Sequence, residues 1–364
     1  MAPATVRALR RRLTSVSPLR QEPIPRYLSP LRYPGAKSGL APAIGELIAN
    51  ASKELGRPAL FVEPFAGGAS TGLRLAADGK VDRILLADAD PLVARFWQVA
   101  AADTDWLIDR MNEEPVTLER WDYWRSWRPR TRDDRDLAVK CLFLNRTTFS
   151  GILHGRAGPI GGRTQAGAYK INCRFTKDAL AERLRRVGAL YADGRLLDVW
   201  CKDWRATLCD VAEWYPQLVP DKVVAYLDPP YLAQSRRLYQ RSFDPAGGYG
   251  SEAVSEAEDD FTGMKEHYAL ADYLRLQAPY RWILSYDMED VLLDDDRLYA
   301  HKRMAPARDD RELLGVKCWP MSKRLVDLRY SVSSQDSRAD TTELLITTLP
   351  PRTVPESDRF ARLE

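Results

Sequence analysis

Short apolar runs of strand length recur along the chain, and amphipathic stretches follow the first two of them, at residues 70–77 and 91–101. Pro91 is well placed for the first turn of a helix. Strands that alternate with helices in this way predict an α/β fold with a Rossmann-like, doubly wound and mostly parallel sheet. The predicted strands are residues 59–65, 83–88, 199–203, 223–228, 282–287 and 343–349.

Four of these predicted strands end in an aspartate: Asp88, Asp203, Asp228 and Asp287. Parallel strands place their carboxyl ends at one edge of the sheet. In doubly wound sheets, ligands bind outside that edge, near the point where the strand order reverses. The four aspartates therefore predict a single crevice at the carboxyl edge.

The composition excludes several classes of protein. With 364 residues and a formal net charge of +3, the chain is long enough for a sizeable core and is not a histone-like polycation. No run approaches the roughly 18 consecutive apolar residues of a membrane span. The five cysteines show no C-x-x-C spacing and the three histidines lie far apart, so neither a disulfide framework nor a metal site is predicted. This pattern predicts a cytoplasmic protein.

The alternation of strands and helices gives way to a mainly helical pattern at residues 103–197, which is rich in aromatic and basic side chains. We expect this segment to form an inserted lobe within a main domain of residues 27–102 and 198–350. Residues 1–26 are predicted to be a solvated basic arm, with an organellar transit peptide as the alternative, and residues 351–364 a C-terminal tail.

Two segments have the composition of loops. Residues 151–167 are rich in glycine and contain Arg156 and Arg163 but no acidic residue, which favours an exposed loop over a core element. Residues 244–260 contain six acidic residues and no basic one, which predicts a solvated, mobile loop.

The tetrapeptide Asp228-Pro229-Pro230-Tyr231 directly follows an apolar run. Consecutive prolines end a strand and fix the backbone. The Asp228 carboxylate and the Pro229 carbonyl would then form a rigid pair of hydrogen-bond acceptors. An amino group on a heteroaromatic ring is a poor nucleophile, because its lone pair is delocalised into the ring. Acceptance of both its N–H hydrogens would free that lone pair, while Tyr231 stacks on the ring.

A second motif argues against a plain strand-terminating turn at Asp228. The sequence Glu63-Pro64-Phe65-Ala66-Gly67-Gly68 also ends a predicted strand and precedes a predicted helix, so its glycines would let the backbone approach a ligand closely. Asp88 follows Gly68 by about 20 residues, the spacing at which an acidic side chain commonly meets ribose hydroxyls.

Together these motifs resemble those of the Dam-type DNA adenine-N6 methyltransferases, from about residue 31 to residue 348. The pentapeptide at residues 33–37 matches the family's aromatic-x-G-x-K motif, residues 61–70 match its glycine-rich loop, and Asp203-Trp204 matches its acidic-aromatic pair that flanks the cofactor adenine. The resemblance implies the cofactor S-adenosylmethionine. The cofactor-binding residues that it implies are Tyr33, Pro34, Gly35, Lys37, Glu63, Pro64, Phe65, Ala66, Gly67, Gly68, Asp88, Asp203 and Trp204.

The same resemblance assigns catalysis to the tetrapeptide Asp228, Pro229, Pro230 and Tyr231. It implies methyl transfer to N6 of an adenine that is flipped out of double-stranded DNA, in a bacterial or phage-encoded enzyme at the nucleoid. A cognate restriction or defence partner, or a marking role in replication and repair, would suit such an enzyme.

Residues 144–151 and 169–175 resemble two segments of the family's recognition lobe, which implies that both lie near DNA. For Asn145 and Arg146, contact with DNA and a structural role at a helix end are both open. Arg156, Arg163, Lys170 and Arg174 are expected to meet phosphates or a guanine edge.

Three further residues have weaker assignments. His267 is expected to be solvated or to cap a helix rather than to transfer a proton. Tyr239 and Phe261 would either line the base pocket or serve only as packing aromatics, and the packing role is favoured.

Three alternatives to adenine methylation of DNA stay open. Transfer to N4 of cytosine poses the same chemical problem, although that class more often begins its tetrapeptide with serine. Enzymes that methylate adenine in RNA usually carry asparagine in place of Asp228. A catalytically silent DNA-binding relative is the non-enzymatic alternative.

Overall fold

The computed structural model describes residues 25, 27–32, 39–128, 134–155, 157–230, 256–300, 319–329 and 340–363. The α-helices in these ranges are α1 (Ala41–Leu55), α2 (Ser70–Ala77), α3 (Pro91–Ala102), α4 (Thr104–Glu113), α5 (Leu118–Ser126), α6 (Asp134–Thr147), α7 (Lys177–Ala192), α8 (Trp204–Trp214), α9 (Glu256–Leu276) and α10 (Val291–Asp294). The strands are β1 (Leu60–Glu63), β2 (Ile84–Asp88), β3 (Leu196–Cys201), β4 (Val223–Leu227), β5 (Arg281–Asp287), β6 (Ser322–Arg329), β7 (Asp340–Thr347) and β8 (Ala361–Arg362).

The strands of the described residues form one sheet in the order β3-β2-β1-β4-β5-β7-β6-β8. β2 pairs in parallel with β3, and β4 pairs in parallel with both β1 and β5. The strand order reverses at β1, as in doubly wound sheets. The prediction of a mostly parallel α/β sheet is therefore confirmed.

The far end of the sheet is antiparallel, which the sequence pattern did not predict. β7 runs antiparallel to β5 and to β6, and β8 pairs antiparallel with β6. β7 begins three residues before the predicted strand at residues 343–349. β6 escaped prediction because Lys323, Arg324 and Asp327 interrupt its apolar residues. A strand with this mixed composition lacks the continuous apolar run that marks a fully buried strand.

Helix starts follow ordinary capping chemistry. The Asp90 side chain accepts a hydrogen bond of 2.9 Å from the Leu92 N–H, and Pro91 supplies a preset backbone angle for the first turn of α3. Thr117 caps α5 in the same way, by accepting from the Arg120 N–H at 3.2 Å. These contacts stabilise the two helices at the boundaries observed.

The chain divides into two compact units. The first comprises residues 1–38 and 65–204, of which the described parts include β2, β3 and α2 to α7. In its core α3 packs against α6, α7 and β3, and the α3 side chains Phe96 and Trp97 are fully buried. The predicted separation of a lobe at residues 103–197 stays a prediction.

The second unit comprises residues 39–64 and 205–364. It contains β1, β4 and β5, whose residues from Leu60 to Glu63, Val223 to Leu227 and Arg281 to Tyr286 are buried. Helix α9 packs on β5, since the Trp282 indole N–H donates to the Leu274 carbonyl at 3.1 Å.

Two further predicted boundaries are wrong. The expected loop at residues 244–260 ends earlier than predicted, because α9 begins at Glu256; residues 244–255 lie outside the described ranges. The strand predicted at residues 199–203 is β3, which ends at Cys201. Within the described ranges, no helix has both the length and the apolar composition that a bilayer crossing requires.

The packing of α7 against the start of α4 gives a first prediction, the effect of Gly188→Ala. Alanine ordinarily favours a helix over glycine by about 1 kcal/mol. Here a Cβ would lie 2.3 Å from the Thr104 Oγ1, and that hydroxyl is held because it donates to the Ala100 carbonyl at 2.7 Å. We expect the free energy of unfolding, measured by urea denaturation, to fall by about 1–3 kcal/mol.

The control for this prediction is Gly158→Ala, because a Cβ there would meet no atom within 4 Å. Its unfolding midpoint should match that of the wild type. Equal stability of the two variants would contradict the predicted clash.

Candidate active site

The glycine turn after β1 is held against the end of β2. The Ala66 N–H donates to the Ala87 carbonyl at 2.9 Å, and the Gly67 N–H donates to Asp88 Oδ2 at 2.9 Å. The buried Trp97 indole N–H donates to the Gly67 carbonyl, also at 2.9 Å. Gly67 has a φ of 44°, in the left-handed region that favours glycine. Both polar backbone groups of Gly67 are thus fixed by their neighbours.

Asp88 presents an oriented carboxylate at the end of β2. Oδ2 accepts from the Gly67 N–H, and Oδ1 accepts from the Asp90 N–H at 2.9 Å. Burial and the nearby Asp90 carboxylate raise the pKa of Asp88 to about 7. Each carboxylate oxygen can accept a further hydrogen bond. These two acceptor oxygens fit the two hydroxyls of a ribose, whose donated hydrogen bonds would stabilise the ionised form of Asp88.

A contact between the glycine-rich loop and Asp90 was not predicted from the sequence. His154 Nε2 lies 2.5 Å from Asp90 Oδ2, while Asp90 Oδ1 caps α3. An aspartate before a proline is a recognisable helix-start signal, so the capping role was predictable. Nothing in the sequence indicated that a histidine 64 residues away would meet it.

Asp203 and Trp204 follow the end of β3. Asp88 and Cys201 are paired residues of β2 and β3, so both strands end at the same edge of the sheet. Asp203 is half-buried in the turn that follows, and Trp204 is buried at the first residue of α8. Their predicted contact with a cofactor adenine stays a prediction.

In the second unit, Glu63 and Asp228 lie at the carboxyl ends of two paired strands. Val62 pairs with Ala225 in the parallel ladder of β1 and β4, Glu63 is the last residue of β1, and Asp228 follows β4 directly. Glu63 is 3% exposed. Asp228 is half-buried, and its Oδ1 accepts a hydrogen bond of 3.1 Å from the Ser285 hydroxyl.

The positions of the remaining motif residues vary. Pro64, Ala66, Gly67, Gly68 and Pro229 are buried, and Phe65 and Pro230 are half-buried. Several predicted residues lie outside the described ranges: Tyr33, Pro34, Gly35, Lys37, Arg156, Tyr231, Tyr239 and the side chain of Phe261.

Asn145 and Arg146 are buried and bind backbone. The Asn145 amide accepts from the Arg32 N–H at 2.6 Å and donates to the carbonyls of Arg32, at 2.6 Å, and Gly151, at 3.1 Å. Arg146 donates to the Pro30 carbonyl through Nε at 2.6 Å and also through Nη2. Burial and neighbouring arginines lower the pKa of Arg146. These contacts favour a structural role for both residues over contact with DNA.

Of the other predicted DNA-binding residues, Arg163, Lys170 and Arg174 are exposed. Arg163 forms an ion pair of 2.7 Å with Asp122 and lies over the Trp121 ring, 5.2 Å from its centroid. The Lys170 ammonium donates to the Gln165 carbonyl. Arg174 lies 6.0 Å from the ring centroid of Tyr169, whose side chain is 66% exposed. All three cations are accessible to a polyanion.

The expectation that His267 is solvated or caps a helix is wrong. Its side chain is 2% exposed, and Nδ1 lies 2.7 Å from the Tyr286 hydroxyl. Burial lowers the pKa of His267 to about 4, so the ring is neutral near pH 7. Helical periodicity placed the residue on α9 but did not show that this face of the helix packs on β5.

Comparison with known families identifies one family whose model spans the motifs described above. A model of the family described as D12 class N6 adenine-specific DNA methyltransferase matches residues 33–267, about two thirds of the chain. The chain belongs to this family. The match covers both the glycine turn and Asp228, and it ends before β5. Comparison with curated proteins finds no significant match.

For this D12 class chain, the Asn145 contacts predict a large loss of stability in Asn145→Leu. Leucine has a similar size but leaves the Arg32 N–H and the Arg32 and Gly151 carbonyls without the amide. Unsatisfied buried groups cost about 1–3 kcal/mol each, so we expect a loss of about 3 kcal/mol or more in urea denaturation.

Arg163→Ala is the control for Asn145→Leu. It should keep the wild-type midpoint but bind DNA more weakly in a salt titration. An Asn145→Leu variant that is fully stable but weak in DNA binding would instead support a DNA contact.

The raised pKa of Asp88 predicts a pH-dependent stability. Because the folded protein binds this proton more tightly than the unfolded chain does, stability should fall as the pH rises through 7. Between pH 6 and pH 8, we expect the free energy of unfolding to fall by about 1 kcal/mol in the wild type relative to Asp88→Asn. The measurement is urea denaturation of both proteins at both pH values.

Repeating the Asp88 comparison in a His154→Gln background separates the carboxyl group from the nearby histidine. Parallel pH profiles for the two proteins would show that Asp88 does not titrate in this range.

Proposed function

We propose that this D12 class chain transfers the methyl group of S-adenosylmethionine to N6 of an adenine in double-stranded DNA. The observation that carries the proposal is the placement of Glu63 and Asp228 at the ends of β1 and β4. Glu63 belongs to the cofactor motif, and Asp228 begins the catalytic tetrapeptide. The parallel register of these neighbouring strands brings a residue from each motif to one edge of the second unit.

The first unit carries groups that suit the cofactor. Asp88 would accept hydrogen bonds from the ribose hydroxyls, because two backbone N–H groups already fix its orientation. Asp203 and Trp204 would bind the adenine end. Tyr33, Pro34, Gly35 and Lys37 are assigned to the same ligand by their motif. When bound, S-adenosylmethionine supplies an electrophilic methyl group.

Asp228 and Pro229 would activate the nucleophile. The Asp228 carboxylate and the Pro229 carbonyl each accept one N–H of the adenine amino group, which directs the nitrogen lone pair at the methyl carbon. Bound S-adenosylmethionine would supply the methyl carbon to N6, and its sulfur would keep the electron pair of the S–C bond. The surplus proton on N6 then passes to Asp228 or to water. Correct positioning accounts for most of the rate in such a transfer.

The target adenine must leave the base stack to reach these groups. Flipping costs a few kcal/mol, and stacking on Tyr231 together with hydrogen bonds to the base edge would offset that cost. The exposed cations Arg163, Lys170 and Arg174, together with Arg156, would bind phosphates or a guanine edge. Their exposure leaves the guanidinium and ammonium groups accessible to DNA.

The test is methyl transfer from labelled S-adenosylmethionine to unmethylated plasmid DNA, with base analysis of the product. We expect N6-methyladenine from the wild type and a rate at least about 100-fold lower from Asp228→Ala. The matched control is Asp221→Ala. Asp221 lies just before β4, at the end of the strand opposite to Asp228. Its side chain is 44% exposed, and its Oδ1 lies 3.5 Å from Arg281 Nε. Its removal should therefore leave the rate unchanged.

The base analysis also tests the alternatives. N4-methylcytosine in the product would place the chain with cytosine methylation. Binding of both S-adenosylmethionine and plasmid without any product would indicate a silent relative. Wild-type activity in Asp228→Ala would overturn the assignment of the catalytic residue.

A further inference from the structure

A chain of two hydroxyl groups leads to the Asp228 carboxylate within the second unit. The Ser285 hydroxyl donates to Asp228 Oδ1 at 3.1 Å and lies 3.0 Å from the Tyr226 hydroxyl. Ser285 is fully buried, and Tyr226 is 3% exposed. A buried hydroxyl is costly unless it is hydrogen-bonded, and an apolar residue would serve packing alone equally well.

The direction of these hydrogen bonds follows from proton counting. A serine hydroxyl has a single hydrogen, and Ser285 donates it to the carboxylate. The Tyr226 hydroxyl must therefore be the donor to Ser285 Oγ. Burial, together with the charges of Asp228, Glu63 and Glu343, raises the pKa of Tyr226 well above its ordinary value, so the phenol keeps its proton.

The strand register produces this arrangement. Tyr226 pairs with Ile283 and Leu227 pairs with Leu284 in the parallel ladder of β4 and β5. Continuation of that register sets Asp228 beside Ser285. Tyr226 lies two residues before Asp228 and so faces the same side of the sheet. Its ring stacks on Phe61 of β1, with 6.1 Å between centroids and 21° between planes.

We propose that Ser285 and Tyr226 are positioning residues that hold the Asp228 carboxylate in the orientation needed to accept the N–H of the target amino group. This inference rests on the proposed function, because it assumes that Asp228 contacts the substrate. Tyr226 polarises the Ser285 hydroxyl, and Ser285 restricts rotation of the carboxylate. Loss of the serine hydroxyl should therefore slow methyl transfer without weakening the binding of cofactor or DNA.

The test compares Ser285→Ala, Ser285→Val and Ser285→Thr in single-turnover and steady-state methylation of unmethylated plasmid. Threonine and valine have the same shape, but threonine alone keeps the hydroxyl. A hydrogen bond to a charged group accounts for roughly 10- to 100-fold in rate. We expect kcat to fall by that factor in the alanine and valine variants, with KM for S-adenosylmethionine and plasmid unchanged.

Threonine should restore at least half of the wild-type kcat, and Tyr226→Phe should lower kcat less than Ser285→Ala does. A wild-type kcat in Ser285→Ala, or equal losses in the threonine and valine variants, would overturn the proposal. Two further results separate this inference from the proposed function. Full activity in Asp228→Ala would refute the catalytic assignment of Asp228 on which the inference rests. Absence of methyl transfer by the wild type would refute the proposed function itself.

Crystal structures of the wild type and Ser285→Val give a readout that needs no activity. We expect a single Asp228 rotamer in the wild type and alternative rotamers in the valine variant. One unchanged rotamer in both structures would overturn the positioning role.

Discussion

The register of β4 between β1 and β5 determines which side chains meet at the carboxyl edge of the second unit. It places Glu63 beside the end of β4 and Ser285 beside Asp228. A slip of one residue would turn the side chains of β4 to the opposite face and separate Asp228 from Ser285. The buried apolar residues of β4 therefore contribute to more than stability, because they fix this register.

In the first unit, a buried polar side chain forms backbone hydrogen bonds of the kind that a paired strand forms in the sheet. The Asn145 amide pairs with both backbone groups of Arg32, much as a neighbouring strand would. Only glycine fits at position 151 beside this contact, because the Cβ of any other residue would lie 2.2 Å from the Arg32 carbonyl oxygen. The segment that resembles the family's recognition lobe thus contains residues that stabilise the chain just before the predicted cofactor motif.

Features with a local cause were predictable from the sequence. β2, β4 and β5 correspond to apolar runs in the sequence, and α3 begins at a recognisable signal, the Asp90 cap followed by Pro91. The same local signals bring the glycine turn, Asp88 and Asp228 to strand ends. Membership of the D12 class family is the basis on which chemical roles are proposed for those strand ends.

Features that depend on distant neighbours were not predictable. Helical periodicity did not reveal that His267 faces Tyr286, and no pattern connected Ser285 with Asp228 before the register of β5 was known. For Asn145 and Arg146, sequence left contact with DNA and a structural role open, because a polar pair at a helix end has the same pattern in both cases. The burial and backbone contacts of the two side chains favour the structural role.

The contact between His154 and Asp90 has a consequence for exchanging recognition loops between family members. His154 belongs to the glycine-rich loop, whereas Asp90 begins the helix next to the proposed ribose-binding carboxylate. A loop grafted from a relative would remove or replace the side chain that contacts Asp90. Grafting at this position would therefore also change the surroundings of the proposed ribose-binding carboxylate, unless the graft retains a histidine there.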